Sequence, residues 1–309
     1  MIFVLRALIV SLAFFALVYS VLSLLLVLSW RGLRLCHFEK HIGARGLFTL
    51  RVIPFVISAS VSLFLTLPSF LLLERHSLDE DLGTFVLSAC AILMLGTGIY
   101  RLLAAEVRTR RVVCACLEGA IGLERHAAAP AIVLAQSIAP VMLVGIRVPR
   151  ILISASACEV LSDGELRAAV CHEAAHFRSR DNLKKAILNG LPFPGMSSLE
   201  GAWQEASELV ADNGAVSSRD EALDLAAALI KLARYSPHRP TRYLATGLVS
   251  AFGVTIRVER LVAWKESPAA SPGRWRCAIA VAFIAFSGLA AKLGSALVLV
   301  HSITERLVP

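Results

Sequence analysis

Charge is scarce in this chain. Asp, Glu, Lys and Arg make up 17% of its 309 residues, hydrophobic residues make up 57%, and mean hydropathy is +0.70. That balance excludes a single water-soluble domain and fits a membrane protein with a water-facing part. Cysteine supplies no framework. The seven residues Cys36, Cys90, Cys114, Cys116, Cys158, Cys171 and Cys277 are odd in number and irregularly spaced, as in a reducing compartment. Cys114-Ala115-Cys116 reads as small apolar filler rather than a metal pair. Internal repeats and low-complexity tracts are absent. No small-residue cleavage site follows the first apolar run, only Trp30-Arg31-Gly32, so that run is a retained anchor rather than a signal peptide.

Four stretches are long and apolar enough to span a bilayer, which takes about 20 residues: 6–29, 52–73, 84–105 and 277–300. The net charge of +8 is explained by topology rather than by nucleic-acid binding, and no direct nucleic-acid partner is expected. Loop 30–51 carries Arg31, Arg34, Lys40, Arg45 and Arg51 against Glu39 alone. Loop 74–83 carries Glu74, Asp79, Glu80 and Asp81 against Arg75. Arg101, Arg108, Arg110 and Arg111 lie at and after the end of the third span, and Lys265, Arg274 and Arg276 precede the fourth. Because positive residues stay in the cytoplasm, the N-terminus is expected outside, 106–276 inside and the C-terminus outside. Trp30, Tyr100 and Trp275 fall at the inner interface as an aromatic belt. This places the chain in the inner (cytoplasmic) membrane, with the lipid bilayer as partner. Lys292 lies inside the fourth span, either as a functional charge or snorkelling to the nearer surface.

The expected fold class is an α+β membrane protein: four transmembrane helices and a cytoplasmic, mainly helical domain with a small β-sheet. Residues 1–105 form the three-helix membrane domain, 106–273 the cytoplasmic domain, and 274–309 the fourth span with a short external tail. A helical lead-in is predicted over 101–127. Short β-like runs follow at Ala131–Gln136, Val141–Ile146 and Arg150–Ser154, separated by Pro130, Pro140 and Pro149, as in an edge-rich sheet. Ser162-Asp163-Gly164-Glu165 has the form of a capping box and predicts a helix over 163–189, with Leu166, Ala169, Val170 and Ala174 packing inward. Residues 191–198 read as a loop, 199–217 as a second helix, and 219–234 as a packing helix with Leu225, Ala228, Leu229 and Leu232 at helical spacing. Residues 235–245 read as a surface loop and 266–273 as a Ser/Pro/Ala linker.

The chemistry concentrates in His172-Glu173-Ala174-Ala175-His176. Residues four apart share one helix face, so two imidazoles can grip one Zn²⁺ while the glutamate takes a proton from water activated there. A hydrolytic zinc site needs a third protein ligand. Glu208 and Glu205, on nearly the same face of the predicted second helix, are the candidates, and the choice between them rests on the resemblance given below. Asp212, one turn beyond Glu208, can accept the spare N–H of a ligating histidine. Asp181 either braces the site or faces Arg178 or Arg180 as a surface charge. Val141–Ile146 is expected as a sheet edge that pairs with an extended substrate.

Asp163–Asp181 (DGELRAAVCHEAAHFRSRD), the preceding Pro149–Ser154 (PRILIS) and Glu208–Asp212 together resemble the membrane metallopeptidases of the BlaR/MecR antibiotic-sensor type, over roughly 84–265. The same motif pair also occurs in the related HtpX and CAAX-prenyl-protease group. The resemblance implies that His172, His176 and Glu208 are zinc ligands, Glu173 is the catalytic base and Asp212 supports a ligand. It implies protein substrates, a transcriptional repressor among them, with a quality-control protease of HtpX type as the alternative. Sensor members continue into an extracellular penicillin-binding domain, whereas about nine residues (His301–Pro309) follow the last span here. A non-catalytic zinc-binding scaffold is the reading of a different class, and intact Glu173 argues against it.

Overall fold

The apolar runs fold as helices. The computed structural model describes residues 2–35, 42–73, 82–117, 121–124, 131–135, 140–235, 245–247, 253–265 and 302–303. In it the first run forms α1 (Ile2–Leu35). The second forms α2 (Ala44–Val61), which continues through a π-helical segment (Ser62–Thr66) into α3 (Leu67–Leu73). The third forms α4 (Leu82–Leu117). These three stretches are long and apolar enough to cross a membrane. The expected fourth span with Lys292, the neighbouring Trp275 and Cys277, the linker 266–273 and most of loop 74–83 lie outside the described residues.

The chain divides into two compact units: Met1–His37 with Thr49–Thr97 and Ser267–Pro309, and Phe38–Phe48 with Gly98–Glu266. In the first, Pro54 sits inside α2 and its carbonyl accepts from Ser58 Oγ at 2.7 Å. Ser62, where the helix widens into π geometry, donates its hydroxyl to the Ser11 carbonyl of α1 at 2.7 Å. The widened turn frees backbone groups, and the serine ties the two helices together across it.

In the second unit the lead-in helix is shorter than the sequence predicts. Rather than running to 127, α4 ends at Leu117, and β1 (Ile121–Glu124) follows, pairing antiparallel with β2 (Ala131–Ala135). Long-range strand pairing here overrides a local helical tendency. β3 (Val141–Val144), β4 (Arg150–Ser154) and β5 (Ala245–Gly247) complete a mixed five-stranded sheet in the order β1-β2-β4-β3-β5, with β2 and β4 parallel and the other pairs antiparallel. Contrary to the sequence expectation, β3 is not an edge. It pairs with β4 on one side and with β5 on the other, where Leu143 faces Thr246. All four β3 side chains are buried, and a strand so apolar is most stable between two neighbours. Of the expected surface loop, 236–244 lies outside the described residues and Ala245 begins β5.

The helical layer comprises α5 (Ala155–Val160), α6 (Asp163–Ser179), α7 (Asp181–Asn189), α8 (Ser197–Ala215), α9 (Arg219–Tyr235) and α10 (Val254–Val262). α6 starts on the predicted capping box: Ser162 N–H donates to Glu165 Oε2 at 2.8 Å, and Glu165 N–H donates to Ser162 Oγ at 3.4 Å. Its inward residues pack with Leu225, Ala228, Leu229 and Leu232 of α9 and with Leu143, Ile151 and Ile153 of the sheet in one apolar core. Each such leucine contributes on the order of 1.5–3 kcal/mol by burial. The core presses α6 between α8, α9 and β3.

The predicted helix over 163–189 is instead two helices. Arg180 breaks it in the left-handed conformation (φ 54°, ψ 40°), the only described non-glycine residue with positive φ. A non-glycine residue there is strained and persists only when its surroundings hold it. The reason lies at the site.

Candidate metal centre

Three donor atoms from two helices converge in the second unit. His172 and His176, one turn apart on α6, and Glu208 on α8 are all buried and form a group that can hold a metal ion, the only such group among the described residues. The separations are 3.1 Å between the two histidine Nε2 atoms, 3.5 Å from His172 Nε2 to Glu208 Oε2, and 3.8 Å from His176 Nε2 to the same oxygen. Glu205, the rival ligand, is exposed on the outer face of α8. Cys114 is exposed and Cys116 is buried.

Each imidazole is oriented through its other nitrogen. His172 Nδ1 lies 3.0 Å from Asp212 Oδ1, and His176 Nδ1 donates to Asp181 Oδ2 at 2.7 Å. Such partners fix the tautomer and aim Nε2 inward. In an unbroken helix Asp181 would sit five residues beyond His176, about 140° around the axis and out of reach. The left-handed turn at Arg180 restarts the chain as α7 and brings Asp181 back to His176. Arg178 is occupied elsewhere, donating to the Gly214 carbonyl, and the second oxygen of Asp181 accepts from Lys184 Nζ at 2.9 Å.

Glu173 is fully buried between the histidines, and its Oε2 accepts from the Leu143 backbone N–H at 2.9 Å. Burial pushes its carboxyl up, against the opposing pull of His176 and His172. Next to it, Asn182 Nδ2 donates to the carbonyls of Leu143 and Gly145, joining the start of α7 to β3. Burial disfavours ionisation of Glu208, but its contacts with His172 and His176 and the charge of Arg257 hold its carboxyl well below the ordinary 4.5. At His176 burial again opposes the charged form, yet Asp181 and Glu208 push the ring up to about 9. Ligation requires the neutral ring, so a metal takes the place of that proton.

Arg257, on α10, was not singled out by the sequence reading. It is buried at 2% exposure and forms a fork with Asp212: Nε donates to Oδ2 at 2.8 Å and Nη2 to Oδ1 at 2.6 Å. Its Nη1 lies 3.0 Å from Glu208 Oε2, and Nη2 lies 3.5 Å from His172 Nε2. One guanidinium therefore holds both acids of α8. A signal was present: Val254, Arg257, Val258 and Leu261 form one helical stripe, and an arginine in an apolar stripe needs buried partners. Burial holds the Lys185 amine down, against the pull of Glu208, Asp181 and Glu173. No protein-family model matches the chain, and no curated protein matches it.

Proposed function

We propose that the protein is an integral membrane zinc endopeptidase. It has four spans and a cytoplasmic zinc domain, and it cleaves cytoplasmic or membrane-associated proteins. The observation that carries this reading is the triad geometry. Tetrahedral zinc with bonds of about 2.0–2.1 Å needs ligand atoms about 3.3 Å apart. Separations of 3.1, 3.5 and 3.8 Å bracket that value. Two imidazoles and one carboxylate also leave a fourth position open, as hydrolytic zinc sites require.

Zinc held there supplies Lewis acidity, acidifying a water and polarising a peptide carbonyl. Glu173 is the general base. Its raised carboxyl pKa suits it to accept the water proton and pass it to the leaving amine. The Leu143 N–H steadies Glu173 Oε2 during that transfer. Asp212 and Asp181 keep the histidines in the ligating tautomer, and Arg257 keeps Glu208 and Asp212 aligned. Because β5 occupies the outer edge of β3, we do not assign the substrate strand to β3. The motif resemblance to the BlaR/MecR type favours a transcriptional repressor among the substrates.

Purified protein in detergent, assayed for zinc and for cleavage of casein or of itself, tests the proposal against a Glu173→Gln variant. One zinc per chain in both proteins, with activity lost by at least about 10²-fold in the variant, is the expected result. Stoichiometric zinc with equal activity in both would leave a metal-binding scaffold, and absence of zinc from the wild type would remove the metal centre.

A further inference from the structure

The turn that joins α7 to α8 carries no charge. Residues 186–199 read AILNGLPFPGMSSL, whereas a turn washed by water draws on polar and charged residues. Its surroundings account for the difference. A Cβ on Gly98 of α4 would collide with the Gly190 carbonyl and lie 3.4 Å from Pro192 Cδ, and a Cβ on Gly190 would lie 2.7 Å from Leu102 Cδ1. One turn earlier on α7, Ala186 packs with Ala105, beside Leu102 and Ile146. α7 therefore runs antiparallel to α4, with its C-terminal end at Gly98.

That stretch of α4 belongs to the third apolar run. Tyr100 and Arg101 mark the interfacial end of the run, and Gly98 lies about 3–5 Å to the hydrocarbon side of Arg101 at 1.5 Å per residue. Near the start of α8 the Trp203 ring lies 6.3 Å from Phe48, just before the second apolar run. Leu183 and Ile187 are exposed one turn apart on the flank of α7 next to its α4 contact, as are Tyr100, Leu103 and Val107 on α4. Arg101 adjoins Tyr100 on α4, and Lys184 adjoins Leu183 on α7. Apolar side chains edged by cations are the pattern of a segment at the boundary of headgroups and acyl chains.

We infer that the C-terminal end of α7 and the turn 191–196 insert into the leaflet at this end of α4, with lipid chains covering Ile187 and Pro194. α7 has nine residues and is about 13 Å long, and its first residue, Asp181, holds His176. The metal cluster therefore stands about one short helix from the lipid. In the peptidase reading, on which this last step alone rests, the bonds cleaved lie in membrane-proximal segments of the substrate.

The test uses the full-length protein in nanodiscs with a fluorescent aromatic amino acid at Phe193 or Ile187. Leu93, exposed in the third span, is the reference. Ile256, exposed on α10, is the control, because Arg257 reaches α8 more than three turns beyond Leu199. Lipids brominated on their acyl chains should quench the probes at Phe193 and Ile187 to about half or more of the Leu93 value and about tenfold more than at Ile256, with little quenching by acrylamide. Bromolipid quenching no greater than at Ile256 overturns the inference: acrylamide quenching would then assign the surface to water, and protection from both would assign it to protein. If the Phe193 probe disturbs folding by size exclusion and circular dichroism, the Ile187 probe decides. No metal enters the measurement, so it stands or falls separately from the peptidase test.

Discussion

The two units of this protein expose different things. Helices α1 to α3 and the first half of α4 turn leucine, valine and phenylalanine outward, among them Leu24, Leu63, Phe64 and Leu93, and bury Ser11, Ser58, Ser62, Thr66 and Ser69. The sheet and the helices α5 to α10 bury leucine, isoleucine and valine and place most of their charge outside. Both arrangements follow from the solvent. Beside hydrocarbon, an outward leucine costs nothing, and an inward hydroxyl can serve a backbone carbonyl, as Ser62 does for Ser11. Beside water the same leucine must be covered. The second unit departs most from its own rule where His172, Glu173, His176, Asp181, Glu208, Asp212 and Arg257 are all buried. A cluster of charge kept in an apolar core at such cost is where function is expected.

The largest test of this contrast is Arg257→Met. With chelator present, Glu208 and Asp212 would be left as buried acids without their guanidinium, a loss of about 3–5 kcal/mol. The melting temperature in detergent should fall markedly and recover in part when zinc is added. An unchanged melting temperature in chelator would mean that the buried cluster is not held as described.

A matched pair of substitutions comes next. Leu93→Lys places a charge in the third span and should cost about 2.5–3.5 kcal/mol of membrane insertion. Leu223→Lys, at an exposed position on α9, should stay within about 0.5 kcal/mol. Insertion assays for the first and thermal melts for the second measure the two. Equal effects would erase the distinction between the units.

How much of this was legible beforehand differs by residue. His172, Glu173 and His176 were readable because their relation is local, a four-residue spacing on a helix announced by Ser162 and Glu165. Glu208 and Asp212 were readable from their own spacing, but the choice over Glu205 rested on the motif resemblance; in the fold Glu208 is buried beside the histidines and Glu205 is exposed. The break at Arg180 was not readable, since no glycine or proline marks it and it is set by the demand of His176 for Asp181. Arg257 escaped because its partner Asp212 is 45 residues away and only the folded core brings them together. β5 escaped for a related reason: three residues, Ala245 to Gly247, form a strand only because β3 offers them an edge.

Ser62→Ala sharpens the comparison from the membrane side. It removes the hydroxyl that joins α2 to α1, and hydrogen bonds of this kind average about 0.6 kcal/mol in membranes. A small fall in thermal stability is expected, with zinc content unchanged. A fall as large as that of Arg257→Met would mean that the membrane unit depends on polar contacts as heavily as the metal centre does.

The smallest effect is expected at the water-facing rim, where Lys231 Nζ lies 2.7 Å from Glu165 Oε2 beside the capping box of α6. Burial of Glu165 opposes its ionisation, but the bonds from Lys231 and Ser162 prevail and hold its carboxyl below the ordinary 4.5. A carboxylate lowered in the folded state adds stability above its unfolded value, and that stability is lost as pH falls through the folded value. Lys231→Met should therefore cost about 0.5 kcal/mol near neutral pH, with the lysine 42% exposed and the pair screened by solvent. The difference from wild type should shrink as pH drops below 4.5, where Glu165 is neutral in the variant and becomes so in the wild type. Thermal melts of both proteins between neutral and acid pH measure it. A difference that stayed constant on acidification would mean that the substitution acts through packing of the side-chain stem, because that contribution does not titrate with Glu165.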